Sequence, residues 1–179
     1  MNHDHYDDAY ISGILREVKS VAMVGASANI SRPSFFVIKY LLGKGYTVHP
    51  INPGLAGKEI QGCKVYGSLA DVPGPVDMLD IFRNSEAALA VTREGIAEKD
   101  RLGLKVVWMQ LSVRNDEAAR EAEAAGLKVV MNRCPKIEYG RLSGEIGWRG
   151  VNSGVVTSRR PARGAGVPHQ LIGGGPKQG

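Results

Sequence analysis

At 179 residues, 43% of them hydrophobic and 23% charged, the chain has the size and balance of one globular core plus a tail, which argues against a multidomain enzyme and against a disordered chain. No apolar run approaches the roughly 18 residues of a membrane span, and two cysteines, Cys63 and Cys134, are too few for a disulfide scaffold, so a reducing cytoplasm is the expected location. Of the net charge of +5, all but one unit comes from Arg159, Arg160, Arg163 and Lys177, in a Gly- and Pro-rich stretch without an acid, so the charge does not point to a nucleic-acid-binding face.

Residues 1–10 carry Asp4, Asp7 and Asp8 and no Lys or Arg, the wrong charge for a secretory or organellar leader. They are expected to form a loose extension. From residue 20 onward, short β-branched apolar runs alternate with helical patterns. Strands buried on both faces are predicted over 21–24, 47–51, 76–82, 105–109 and 128–131. A helix over 33–42 opens with Pro33 in its first turn, puts Phe36, Val37, Tyr40 and Leu41 on one stripe and stops before Gly43. A short strand at 65–66 and a turn of helix at 68–72 follow. The next helix spans 85–102, with Gly95 as a candidate break. Another spans 116–125, with Asn115 as N-cap, Asp116 and Glu117 in the first turn, Gly126 as the stop, and Ala118, Ala122 and Ala125 facing inward. An amphipathic piece over 137–142 is expected to cap the sheet edge. Residues 157–179 hold few large apolar side chains and are expected to be a disordered tail.

Strands alternating with helices need crossovers, and crossovers give a parallel sheet covered on both faces. The fold class is therefore α/β, doubly wound, with a mainly parallel sheet in three αβα layers. In such sheets ligands bind outside the carboxyl ends of the strands, where strand order reverses. The loop Gly25-Ala26-Ser27-Ala28-Asn29-Ile30-Ser31-Arg32-Pro33 follows the first strand and opens the first helix there. Free N–H groups at a helix start, a tight turn at Gly25, the Ser27 hydroxyl and the Arg32 guanidinium together suit a diphosphate. Taken alone, the same loop also reads as a plain strand-to-helix turn.

What is missing narrows the ligand. A dinucleotide loop carries three glycines and an acid at the end of the second strand. Here there is one glycine, and the second strand ends His49-Pro50-Ile51-Asn52-Pro53-Gly54. Without that acid NAD is disfavoured, and a phosphorylated ribose, as in NADP or coenzyme A, is permitted. Asn52-Pro53-Gly54 also reads as an ordinary turn. No phosphate loop of the G-x-x-x-x-G-K-[ST] type occurs, and His3, His5, His49 and His169 form no ligand pair, so neither nucleotide hydrolysis of that type nor a metal is expected.

Several segments together resemble the small stand-alone coenzyme A-binding proteins, whose Rossmann-like domain also forms part of the succinyl-CoA synthetase α subunit. The likeness is carried by Ala22-Met23-Val24-Gly25-Ala26-Ser27, Arg32-Pro33-Ser34, the stretch from Tyr46 to Gly54, residues 76–83, residues 107–111 and residues 132–138. It covers most of residues 11–156, taken as the binding domain. It implies a ligand, coenzyme A or an acyl-CoA, with its diphosphate over Gly25, Ala26 and Ser27. Arg32, with Lys58 or Arg83, would meet the 3′-phosphate. The adenine would lie by Asn52, Pro53 and the loop after Phe82, and the pantetheine arm would run toward Gln110 and Cys134. Gln110 and Arg83 each end a buried strand and also read as partners of loop carbonyls, a reading weaker for Arg83.

The ligase-type subunit needs a second domain with a phosphate-carrying histidine, and no His here lies in a matching context. Binding without catalysis is therefore expected, as a carrier, a sensor or a subunit of a larger assembly, with a second copy or a partner enzyme as possible company. Cys134, beside Arg133, reads either as an activated thiol or as an inert buried one, and the inert reading is preferred. Lys136 and Glu138 read as helix-surface residues, and Asp77 and Asp80 as partners of neighbouring backbone. The rival is an NADP-dependent oxidoreductase using Tyr139 or Lys136 as proton donor, ranked second for want of a Tyr-x-x-x-Lys pair. A third reading is an interaction protein acting through its tail.

Overall fold

A computed structural model describes residues 1–145; the tail at 157–179, His169 and Trp148 lie outside the described residues. Five parallel strands form the main sheet: β1 (Ser20–Val24), β2 (Thr47–Ile51), β5 (Met78–Ile81), β6 (Val106–Met109) and β7 (Lys128–Val130), in the order β2-β1-β5-β6-β7. The chain leaves β1 toward β2 and later returns to β1's other side with β5. The strand order therefore reverses between β1 and β5, and the loops after those two strands diverge to open a crevice. Between β2 and β5 a small antiparallel pair, β3 (Glu59–Ile60) and β4 (Cys63–Lys64), turns through Gln61 and Gly62, both at positive φ. The expected strand at 65–66 is only a bridge from Tyr66 to Ile51, and 68–72 is a turn rather than helix.

Two layers of helix cover the sheet. Helices α1 (Asp8–Glu17), α2 (Pro33–Gly43) and α6 (Pro135–Leu142) pack on the face that carries Met23, Met78 and Trp108. Helices α3 (Ser85–Ala97), α4 (Lys99–Leu102) and α5 (Asp116–Ala124) cover the face of Leu79, Ile81 and Met109. The helix expected over 85–102 breaks at Glu98, not at Gly95. Gly95 sits where α3 presses on β5: a Cβ there would lie 2.6 Å from Leu79 Cδ2. Asn115 caps α5 by accepting from Ala118 N–H at 2.9 Å, but the buried stripe is Ala118, Ala119 and Ala122, and Ala125 is half-buried at the helix end.

Helix α1 begins at Asp8, within the expected extension, and Tyr6 and Tyr10 contact the sheet, while most of the other residues before Ile11 are exposed. Ile11, Ile14 and Leu15 bury one side of α1, and Tyr6 is 7% exposed. The Tyr6 hydroxyl accepts from Met131 N–H at 2.8 Å, and the Tyr10 hydroxyl bonds both the N–H and the carbonyl of Val129. Tyrosines thus cover the outer groups of β7, the edge the 137–142 segment was expected to cap. Helix α6 instead packs with α1 and α2 on the broad face.

Candidate functional site

The carboxyl ends of the strands form the floor of a cleft of about 1010 Å³, walled by the β1–α2 loop, α2 and α6. Gly25 makes the loop possible. It has φ +91° and runs so close to the next strand that a Cβ would sit 2.4 Å from the Phe82 carbonyl oxygen. Its N–H and that of Ala26 donate to the Ile51 carbonyl, tying the loop to β2. Ser27 Oγ accepts from Asn29 N–H at 3.2 Å, which leaves its own proton free to donate. Pro33 occupies the first turn of α2, and the N–H groups of Ser27, Ala28 and Ser34 donate to no described residue. Asn52, at the end of β2, donates from Nδ2 to the Ala26 carbonyl at 2.7 Å and accepts from Gly54 N–H, so it clamps the loop from the side.

The residues expected to bind ligand lie together, with two exceptions, Pro53 and Lys58. Gly25, Ala26, Ser27, Arg32, Pro33, Ser34, Asn52, Phe82, Arg83, Gln110 and Cys134 all line the cleft. Pro53 does not: it begins a short 3₁₀ turn that carries the chain outward from Asn52, and it is exposed. Lys58, farther along that excursion, is also off the cleft. Arg32 and Arg83 are exposed and have no carboxylate partner among the described residues, nor has Lys136. Unpaired cations around open N–H groups make this end of the cleft a place for anionic oxygens. No group of three His, Cys, Asp or Glu residues fit to hold a metal occurs among the described residues.

The other end is apolar. Phe36, Val37 and Tyr40 from α2 face Ile137 and Gly140 from α6 across the cleft. Phe36, expected on the inward stripe, is 49% exposed at the mouth; the buried stripe of α2 is Ser34, Val37, Ile38 and Leu41. The 3.6-residue period forces this, because 34, 37, 38 and 41 share one side and 36 falls off it. The α6 wall was not foreseen, since a helix read as an edge cap has no reason to face a ligand. Lys136 faces the cleft with its ammonium over the Tyr40 ring, 5.8 Å from its centre. Tyr139 is not on the cleft; it packs edge-on against Tyr40 and Tyr46.

Cys134 stands at the N-cap of α6, 7% exposed, and burial pushes its thiol up rather than down. Arg133 does not activate it, because that guanidinium turns over the Tyr6 ring and toward Glu138. Glu138, expected on the surface, is 2% exposed and held by Arg141, which also reaches Asp8 of α1. Asp77 does bond backbone, accepting from the N–H groups of Lys19 and Ser20. Asp80 does not: its carboxyl accepts from the Gln110 side chain, and burial pushes it up to about 8. Trp108 and Met109 belong to the core.

The family model described as "CoA binding domain" matches residues 19–140, which take in the sheet and most of the cleft. The chain belongs to the CoA binding domain family. It is 34% identical over 131 residues to the uncharacterized protein YneT of Bacillus subtilis, covering 73% of this chain and 93% of that one. A hypothetical protein from Pyrococcus horikoshii OT3 has a similar structure, with a TM-score of 0.72, 38% identity, and coverage of 80% of this chain and 97% of that one. A larger relative is acetate–CoA ligase (ADP-forming) II of Archaeoglobus fulgidus, 31% identical over 107 residues; the match spans 59% of this chain but 15% of the ligase. The match to the CoA binding domain model therefore extends through the whole main sheet.

A CoA binding domain must accommodate a diphosphate, an extra phosphate on the ribose and a long arm, and the donor set here fits such a ligand. The loop N–H groups and Ser27 suit phosphate oxygens, the free arginines suit a further phosphate, and the α2–α6 wall suits an uncharged arm.

Proposed function

We propose that the cleft binds coenzyme A, or an acyl-CoA, and that the chain is a binding protein without catalysis of its own. Its diphosphate would rest on Gly25, Ala26 and Ser27 at the start of α2. Arg32 and Arg83 would meet the 3′-phosphate, Asn52 and Phe82 would bound the adenine, and the arm would pass Gln110 toward Cys134. What supports this most is continuity: one cleft joins the phosphate-type loop and cations without a carboxylate partner among the described residues to an apolar wall suited to an uncharged arm. The apolar wall of Phe36, Val37, Tyr40 and Ile137 also favours room for an acyl group.

The case for binding alone rests on the groups available for chemistry. The Cys134 thiol is held toward its neutral form, and Glu145 is already engaged by Lys44 and Tyr40. A role as carrier, sensor or assembly subunit follows from that reading. Calorimetry with coenzyme A, dephospho-CoA, NAD and NADP tests it. Coenzyme A should bind most tightly, and dephospho-CoA should bind at least about tenfold more weakly, the worth of one charge-assisted contact. Equal affinity for the two would remove the role given to the arginines, and tighter NADP binding would favour an oxidoreductase.

A further inference from the structure

Beneath the cleft floor lies a buried acid with no part in the binding scheme above. Asp80 is 0% exposed in β5, level with Met23 of β1 and Trp108 of β6. Among the described residues its carboxyl has one polar partner, the Gln110 side chain, whose Nε2 donates to Oδ1 at 2.9 Å and to Oδ2 at 3.1 Å. Burying an acid costs more than a single neutral pairing returns, and two apolar side chains would fill the same space at no loss of stability. The pair therefore needs a purpose other than packing.

Gln110 supplies one. It is 5% exposed, it lines the cleft, and the far end of its amide, Oε1, has no partner among the described residues. Gln110 is thus the polar residue of β6's carboxyl end that lines the cleft with an amide oxygen not engaged by a described residue. Nε2 donates to both carboxyl oxygens, and this arrangement turns the amide oxygen away from Asp80.

We propose that Gln110 Oε1 accepts a hydrogen bond from an amide N–H of the bound ligand and that Asp80 is the positioning residue that aims it. A bare acceptor repels phosphate and selects a neutral donor. By strand order Gln110 lies two strands from the Gly25 loop, about 10 Å away at the usual spacing, on the side opposite Asn52. Given the coenzyme A reading, on which this inference rests, the donor there is a secondary amide of the pantetheine arm, and the adenosine portion does not reach it.

The experiment compares coenzyme A with adenosine 3′,5′-bisphosphate, which lacks the arm, on the full chain by calorimetry. Gln110→Leu should weaken coenzyme A roughly five- to tenfold and leave the bisphosphate unchanged. Because that variant strands Asp80, the double variant Asp80→Leu/Gln110→Leu, with both polar groups gone, should show the same split. In Asp80→Leu, which removes the acceptor of Nε2, the Gln110 side-chain NH₂ should exchange faster than in the wild type. Wild-type protein that binds neither ligand would overturn the coenzyme A reading. Wild-type protein that binds coenzyme A, with variants that weaken both ligands equally or neither, would overturn only the role of Gln110. An unchanged NH₂ exchange rate would overturn that of Asp80.

Discussion

Asp80→Asn should make the protein more stable near neutral pH, and the gain should depend on pH. Burial holds the native carboxyl at about 8 against an ordinary value of 3.8. Between those two values the folded state keeps a proton that the unfolded chain gives up. Stability from this group is thus complete below pH 3.8 and is lost as pH rises to about 8. The slope within that window is about 1.4 kcal/mol per pH unit, so by pH 7 the accumulated cost is roughly 4 kcal/mol. Asn removes the ionisation and can still pair with the Gln110 amide, so most of that cost should be recovered. The carboxylates with lowered values (Glu17, Asp77, Asp116, Glu121 and Glu145) and the imidazoles of His3 and His49 contribute alike to both proteins. The difference between variant and wild type therefore isolates Asp80. Urea unfolding at pH 5, 6, 7 and 8, followed by far-ultraviolet circular dichroism, should show that difference widening with pH. A difference that stays flat across the series would mean that Asp80 is not held as a buried neutral acid.

Gly25→Ala should cost at least about 2 kcal/mol, since the new Cβ meets the Phe82 carbonyl at a backbone angle that suits glycine; an unchanged urea midpoint would refute the close approach. Arg32→Ala should weaken coenzyme A by about tenfold more than dephospho-CoA, with the gap shrinking as salt is added. Equal losses for the two ligands would place the 3′-phosphate elsewhere. Tyr6→Phe should destabilise the fold by about 1 kcal/mol and speed hydrogen exchange at Met131 N–H, its present donor. Unaltered exchange at that position would show that the first residues do not hold the edge strand.

The parallel sheet was legible because its strands are buried on both faces, and that burial writes continuous apolar runs such as Val106–Met109 into the sequence. Asn115 and Gly126 marked the limits of α5 for equally local reasons. Failures arose where tertiary contact decides. Gly95 looked like a helix breaker, yet it is the point at which α3 approaches Leu79, and no local pattern distinguishes the two. Helix α1 was missed although Ile11, Ile14, Leu15 and Val18 have helical spacing and are all buried. Three aspartates before them drew the reading toward a solvated extension, and the tyrosine contacts that fix it join residues more than a hundred positions apart.

The same division runs through the site. The loop at Gly25 was readable because one short segment holds the turn, the hydroxyl, the helix start and the cation, and helix physics gives each a role. Asn52, Phe82, Gln110 and Cys134 were implied by the family resemblance rather than by local pattern, and the structure brings all four to the same cleft. The α2–α6 wall escaped notice, since which side of α6 meets the cleft depends on Glu138 being buried with Arg141 and Arg133. A glutamate at that position reads from sequence as solvated. Its burial turns α6 so that Ile137 and Lys136 face the ligand space. Breaking that anchor with Glu138→Lys should therefore do more than destabilise the fold: it should loosen the apolar end of the cleft first, weakening coenzyme A while the bisphosphate, held at the Gly25 end, still binds.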